Sequence, residues 1–133
     1  QEVNMTRREA SKLLTEAELE LMQVLWARGG GTAREVLEAL PEGRAPAYTT
    51  VSTVLRILES KGFVTSRKVG RSHRYEPVEA QDGYQSRALS HLIGGLFGGS
   101  ALSLAKRLVS SEAIDDDELR ALQQLLDERL DDR

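Results

Sequence analysis

The sequence has no cysteine and no long apolar run, and each absence excludes a class of protein or site. Without cysteine there can be no disulfide, no thiolate metal site and no cysteine nucleophile, which agrees with a reducing compartment. No apolar stretch approaches the roughly 20 residues that a membrane-spanning helix needs. The segment 1–12 is too polar for a signal peptide. From these absences we expect a cytoplasmic protein.

Histidine is scarce, and the motifs of common enzymes are missing. His73 and His91 lie far apart, and neither has a carboxylate or a second histidine at metal-ligand spacing. The acidic run at 115–118 lacks the alternating ligands and the central glycine of a calcium loop. There is no phosphate-binding lysine loop, dinucleotide-binding glycine pattern or nucleophile-elbow serine. We therefore expect no catalytic activity, no metal site and no cofactor.

Positive charge is concentrated in one part of a chain whose net charge is −3. Residues 1–78 hold 12 Lys and Arg against 10 Asp and Glu, whereas residues 79–133 hold 6 against 11. No acidic residue lies between Glu59 and Glu76, where five cations occur, namely Lys61, Arg67, Lys68, Arg71 and Arg74. This segment is where we expect a polyanion to dock.

Local signals predict three helices before the cationic segment. The capping boxes Thr15–Glu18 and Thr32–Glu35 begin two of them, which run to about residues 28 and 40. The third runs from about Thr49 to Lys61 and ends at Gly62, a residue that favours the left-handed conformation of a helix cap.

The cationic segment itself predicts a β-hairpin. Residues 63–75 contain two runs with β-branched and aromatic residues on either side of a turn at Gly70. A basic hairpin directly after a helix is typical of the wing of a winged helix-turn-helix. We therefore predict a mainly α fold with a small β-hairpin: a flexible extension at 1–14, a winged-helix DNA-binding domain at 15–78 and a helical dimerisation domain at 79–133.

The third helix and the hairpin supply the predicted DNA contacts. Apolar residues of the helix form one stripe that packs inward, while its outward surface is short, polar and free of acidic residues before Glu59. The helix residues predicted to face the major groove are Thr49, Thr50, Ser52, Thr53 and Arg56. The hairpin residues predicted to neutralise phosphates are Arg67, Lys68, Arg71 and Arg74. The alternative for both sets is an ordinary solvated surface.

The sequence after Pro77 predicts three more helices, over about 80–97, about 100–109 and from the acidic run onward. About 50 residues cannot bury such apolar stripes alone, so we predict a homodimer. A symmetric dimer would place the third helix of one subunit about 34 Å from the third helix of the other. This arrangement favours a pseudo-palindromic operator. The predicted interface residues are Leu89, Leu92, Ile93, Leu96, Phe97, Leu104, Leu108, Leu119, Leu122 and Leu126.

Four segments together resemble the bacterial BlaI/MecI penicillinase-repressor family: LTEAELELMQVLW at 14–26, TAREV at 32–36, YTTVSTVL at 48–55 and KGFV at 61–64. The resemblance is strong over 14–75 and holds in outline over 81–130. It implies a dimeric winged-helix repressor of beta-lactamase or related genes, bound to inverted-repeat operators. It also implies release when a membrane sensor's signalling leads to proteolysis in the dimerisation region.

The resemblance has two departures. The bond cleaved in the best-known members joins Asn to Phe, whereas the matching position here is Arg107–Leu108, the candidate site for a regulatory protease. The copper-responsive branch carries a C-terminal cysteine motif, which this chain lacks. Two other functions stay open: a winged-helix module that binds an acidic protein, and a repressor switched by a small ligand.

Overall fold

A computed structural model describes residues 13–43 and 45–132. The chain divides after Arg87 into two compact units. The predicted boundary after residue 78 precedes this division, because the helix that begins at Gln81 contributes its first turns to the first unit. The predicted flexible extension at 1–14 falls outside the described residues except for Leu13 and Leu14.

The first unit contains three helices and a three-stranded antiparallel sheet. In this sheet the short first strand pairs with the second strand of the hairpin, which lies in the middle and pairs on its other side with the first strand of the hairpin. The helix-helix-helix-hairpin order confirms the predicted winged-helix fold. In chain order the elements are α1 Glu16–Arg28, β1 Gly31–Thr32, α2 Ala33–Ala39, α3 Tyr48–Lys61, β2 Val64–Val69 and β3 Ser72–Pro77.

Both predicted capping boxes are present. Thr15 accepts a hydrogen bond from the N–H of Glu18, whose carboxylate accepts one from the N–H of Thr15 at 2.9 Å. Thr32 and Glu35 form the same reciprocal pair at the start of α2. Gly62 ends α3 with a φ of 89°, as predicted. These ends are fixed by local chemistry, which is why sequence alone located them.

The strand β1 was not predicted, because the three consecutive glycines before Thr32 indicated only the end of a helix. Gly30 has a φ of 139°, and a Cβ on it would lie 2.9 Å from the carbonyl oxygen of Tyr75. Only glycine therefore allows the chain to approach β3 this closely. The pairing of β1 with β3 depends on this close approach at Gly30.

Apolar side chains of all three helices and the hairpin form the core of the first unit. Trp26 lies at its edge, where its indole N–H donates to the carbonyl oxygen of Glu79 at 2.9 Å and its ring lies 5.8 Å from that of Tyr84. Arg87 pairs with Glu79 at 2.7 Å and lies over the Tyr84 ring at 5.4 Å, so the first turns of the following helix are held in place. The largest fully buried side chains are Met22, Leu25, Val36, Val51, Leu55, Leu58 and Val64.

Lys61 forms an ion pair and is not part of the free cationic surface predicted from the sequence. Its Nζ lies 2.8 Å from Oε2 of Glu18, which is buried on α1. Burial alone would raise the pKa of the Glu18 carboxyl, but hydrogen bonds from Lys61 and Thr15 reverse this effect, and the pKa lies below its usual value. The pair joins the first and third helices.

Replacing Lys61 with methionine is expected to lower the free energy of unfolding at neutral pH by about 1.5–3 kcal/mol, because the Glu18 carboxylate loses a charged hydrogen bond. Since the pKa of Glu18 is lowered, this stabilisation is present above the ordinary glutamate pKa and is lost as pH falls through the lowered value. Thermal unfolding of the two proteins should therefore converge in acid. Lys106→Met, at an exposed position on another helix, is the matched control; a difference independent of pH would contradict the ion-pair account.

The second unit is helical. The helix α4, Gln81–Leu96, enters it from the first unit and is followed by α5, Ala101–Ser110, and α6, Asp116–Asp131. The α6 helix begins in the acidic run as predicted, with Asp115 and Glu118 forming a third capping box. Within the described residues no single helix is long and apolar enough to cross a membrane; α4 and α5 meet that criterion only together, as a bent pair.

Candidate nucleic-acid interface

The helix α3 has one buried face and one polar face. Val51, Leu55 and Leu58 are fully buried against the core. On the other side Arg56 is exposed, and no described acidic side chain forms an ion pair with it. The hydroxyl residues Thr49, Thr50 and Thr53 are also exposed, and Ser52 is half-buried. All five predicted groove-facing residues therefore offer polar atoms on one helix surface.

The start of α3 differs chemically from that of α1 and α2. Its N-cap residue, Ala47, makes no side-chain hydrogen bond, and the first turn contains no acidic residue. The positive end of the helix dipole therefore lacks an anionic side chain of its own. In a polyanion complex this end would attract phosphate, adding to the side chains on the same surface.

The register of the hairpin separates the cations of the wing onto two faces. Lys68 pairs with His73 and Arg67 pairs with Arg74 across the two strands. Because side chains alternate along a strand, Lys68 and His73 share the face of Tyr75, which is packed toward α3, while Arg67 and Arg74 lie on the opposite face. The wing therefore has an inner and an outer cationic face.

The outer face carries ion pairs. Glu76 lies 3.6 Å from Arg67 and 3.3 Å from Arg74, and Arg74 also lies 3.9 Å from Glu35 of α2. The pKa of the Glu35 carboxyl lies below its usual value, mainly because the carboxylate accepts a hydrogen bond from the backbone N–H of Thr32. The nearby Arg28 and Arg74 lower this pKa further. These carboxylates partly neutralise the outer arginines. Lys68 and Arg71 form no ion pair among the described residues.

A groove of about 380 Å³ lies between α2, α3 and the inner face of the wing. Tyr75 forms part of its wall, and burial raises the pKa of the Tyr75 hydroxyl. The guanidinium of Arg34 lies over the ring of Tyr48 at 5.4 Å, a residue pair absent from the sequence prediction. The lining residues are Thr32, Ala33, Arg34, Glu35, Glu38, Tyr48, Ser52, Arg56, Arg71, Ser72, His73 and Tyr75.

The second unit presents a surface of a different kind. No residue of α5 or α6 is buried, although both helices carry a leucine stripe. Leu96 is 70% exposed and Leu126 is 55% exposed. Among the other predicted interface residues, Leu89, Leu92 and Leu108 are exposed, while Ile93, Phe97, Leu104, Leu119 and Leu122 are half-buried. Exposed apolar side chains in such number mark an interaction surface.

A family model described as penicillinase repressor matches residues 14–128, which includes the whole winged-helix unit and most of the second unit. The chain belongs to the penicillinase repressor family. The resemblance to BlaI and MecI predicted from the four sequence segments is thereby confirmed.

Relatives within the penicillinase repressor family match across both units. The transcriptional regulator BlaI of Mycobacterium tuberculosis is 36% identical over 118 residues, covering 75% of this chain and 86% of the relative. The penicillinase repressor of Bacillus licheniformis is 25% identical over 115 residues, covering 86% of this chain and 90% of the relative. The solution structure of the DNA-binding domain of the repressor BlaI is 31% identical and covers 53% of this chain and 87% of that chain, with a TM-score of 0.48.

The predicted cleavage candidate, Arg107–Leu108, lies within a helix. Arg107 and Leu108 are both exposed and belong to α5, close to its end at Ser110. The segment 111–115, in which Ser111 and Ile114 are half-buried and the other residues are exposed, follows directly and joins α5 to α6. No cluster of three or more His, Cys, Asp or Glu side chains suited to a metal ion occurs in the part of the chain that the structure describes.

Proposed function

We propose that this protein is a DNA-binding transcriptional repressor that acts as a homodimer on a pseudo-palindromic operator and controls beta-lactamase or related genes. The observation that carries the proposal is the hydroxyl-rich surface of α3 bordered by cations that form no ion pair among the described residues, in a member of the penicillinase repressor family. Free cations would also suit an acidic protein partner, but a hydroxyl-rich helix of the size of a major groove beside them favours DNA.

Each part of the interface has a distinct role. Arg56 reaches a guanine edge in the major groove, and the hydroxyls of Thr49, Thr50, Ser52 and Thr53 bind phosphates or base edges. Lys68 and Arg71 neutralise phosphates from the wing and position the protein without reading sequence. Arg67 and Arg74 remain predicted phosphate contacts. We expect them to contribute less to affinity than Lys68 and Arg71, because carboxylates lie 3.3–3.9 Å from their guanidinium nitrogens.

Binding should depend steeply on salt. If the dimer makes about six to ten phosphate contacts, the logarithm of affinity should fall against the logarithm of salt concentration with a slope of about −5 to −9. Genome-wide mapping of bound sites would supply an inverted-repeat duplex, and a scrambled duplex of equal length is the control. Titrations between roughly 50 mM and 200 mM salt measure the slope. A slope near zero would contradict the electrostatic account and favour the protein-binding alternative.

The exposed leucines of the second unit support the dimer. A twofold axis would pair each stripe with its copy and place the two α3 helices about one DNA turn apart, roughly 34 Å. Footprinting should then show two related half-sites in inverted orientation. A single asymmetric half-site would contradict this geometry.

Proteolysis in the second unit would end repression by destroying the dimer. The Arg107–Leu108 bond is the candidate because the resemblance to BlaI and MecI implies a cut at this position, and both residues are exposed. Proteolytic cuts concentrate in exposed, poorly packed segments. Cleavage here would therefore begin with unwinding of the last turn of α5, next to the 111–115 connection.

A further inference from the structure

Arg34 lies outside both the α3 surface and the wing, yet it lines the same groove as Ser52 and Arg56. Its guanidinium carbon is 5.4 Å from the centroid of the Tyr48 ring. Tyr48 is the first residue of α3 and is 46% exposed. This cation–π contact therefore holds a cation beside the N-terminal end of the helix proposed to enter the major groove.

The positive charge of Arg34 does not stabilise the dipole of its own helix. It stands in the first turn of α2, where a positive charge opposes the helix dipole. The acidic residue of that turn, Glu35, is engaged by Thr32 and lies 3.6 Å from Arg28. Arg34 forms no ion pair with any acidic side chain that the structure describes. Its charge is therefore available to an external anion.

We propose that Arg34, held by Tyr48, is a phosphate-binding residue that fixes where α3 sits along the duplex backbone. This inference rests on the proposed DNA-binding function. A guanidinium over an aromatic ring still has N–H groups to donate, and its planar fork matches phosphate oxygens in a bidentate arrangement. Because the ring restricts the side chain before DNA binds, less conformational freedom is lost on binding. The contact adds affinity without sequence preference.

The first test replaces Arg34 with glutamine in the full chain. Affinity for the inverted-repeat duplex and for the scrambled duplex should fall by the same factor, and the salt slope should become shallower by about 2 per dimer, one contact per subunit. Arg28→Gln is the matched control: it removes the same charge from the same unit, but Arg28 already faces Glu35, so the slope should stay that of the wild type.

An Arg34→Gln slope equal to that of the wild type would overturn the inference while leaving the proposed function intact. A wild-type protein that binds neither duplex at low salt would instead refute the proposed function itself. The two failures are therefore distinguishable. Thermal melts of both glutamine variants show whether the winged-helix unit remains folded.

The second test separates the aromatic support from the charge. Tyr48→Leu should weaken binding about fivefold to thirtyfold, the loss expected for two exposed cation–π contacts in the dimer, with the salt slope unchanged because Arg34 remains. Tyr48→Phe keeps the ring and should bind like the wild type. A phenylalanine variant as weak as the leucine variant would assign the effect to the Tyr48 hydroxyl and overturn the role of the stack.

Discussion

Replacement of Arg56 with alanine is expected to lower the affinity of the dimer for its operator by roughly 30-fold to 20,000-fold. A bidentate arginine contact to a guanine edge contributes about 1–3 kcal/mol of discrimination, and a symmetric dimer makes the contact twice. Arg56 suits this role because it is exposed on α3 beside Ser52 and forms no ion pair among the described residues. Its side chain is exposed, so the fold should persist.

The measurement compares operator and scrambled duplexes at one salt concentration. Arg56→Ala should lose far more affinity for the operator than for the scrambled duplex, because only the operator offers the correct base. Arg120→Ala is the matched control, since Arg120 is an exposed arginine of the second unit whose described ion pair is to Asp117. An equal loss on both duplexes would assign Arg56 to a phosphate, and no loss on either would remove it from the interface.

The helices of the winged-helix unit could be predicted because their ends are encoded locally. Each capping box places both partners within three residues, and Gly62 alone supplies the turn after α3. The strand β1 could not be predicted in this way. It has two residues, too few for any alternation to show, and its pairing partner Tyr75 lies far along the chain.

The charges of the interface were predicted less well than its helices, because a count of cations does not reveal their partners. The sequence analysis counted Lys61 among the cations between Glu59 and Glu76 where a polyanion is expected to dock, but its carboxylate partner is 43 residues away on α1. Strand alternation could have separated Lys68 from Arg67, since neighbours along a strand face opposite ways. The contact between Arg34 and Tyr48 joins α2 to α3. Both residues are exposed, and nothing in the sequence next to either one predicts that they meet.

Sorting the cations by face changes how the wing is understood. The outer arginines and Glu76 connect the hairpin to Glu35 of α2, so they brace the wing against the body of the unit. Lys68 and Arg71, on the inner face and the tip, form no ion pair among the described residues, so their charge is available to the proposed DNA ligand. One hairpin thus combines a structural network with a binding surface, and the two-residue period of the strand keeps them apart.

Replacement of Leu126 with lysine is expected to convert the protein to a monomer and to lower operator affinity by about 100-fold to 10,000-fold. In a dimer the second half-site is bound intramolecularly, at an effective concentration that a monomer cannot reach. A lysine in the paired leucine stripe would place an unpaired charge in an apolar interface, at a cost of several kcal/mol. Affinity for an isolated half-site should remain close to that of the wild type, because the winged-helix unit is unchanged.

Analytical ultracentrifugation and titration of full and half operators test this prediction together. Gln124→Lys is the matched control, because it adds the same charge to the same helix on the face away from Leu126. Far-ultraviolet circular dichroism would show whether α6 stays helical in both variants. A Leu126→Lys protein that still sediments as a dimer would remove α6 from the interface. A monomer that binds the full operator as tightly as the wild type would instead show that repression does not depend on twofold pairing.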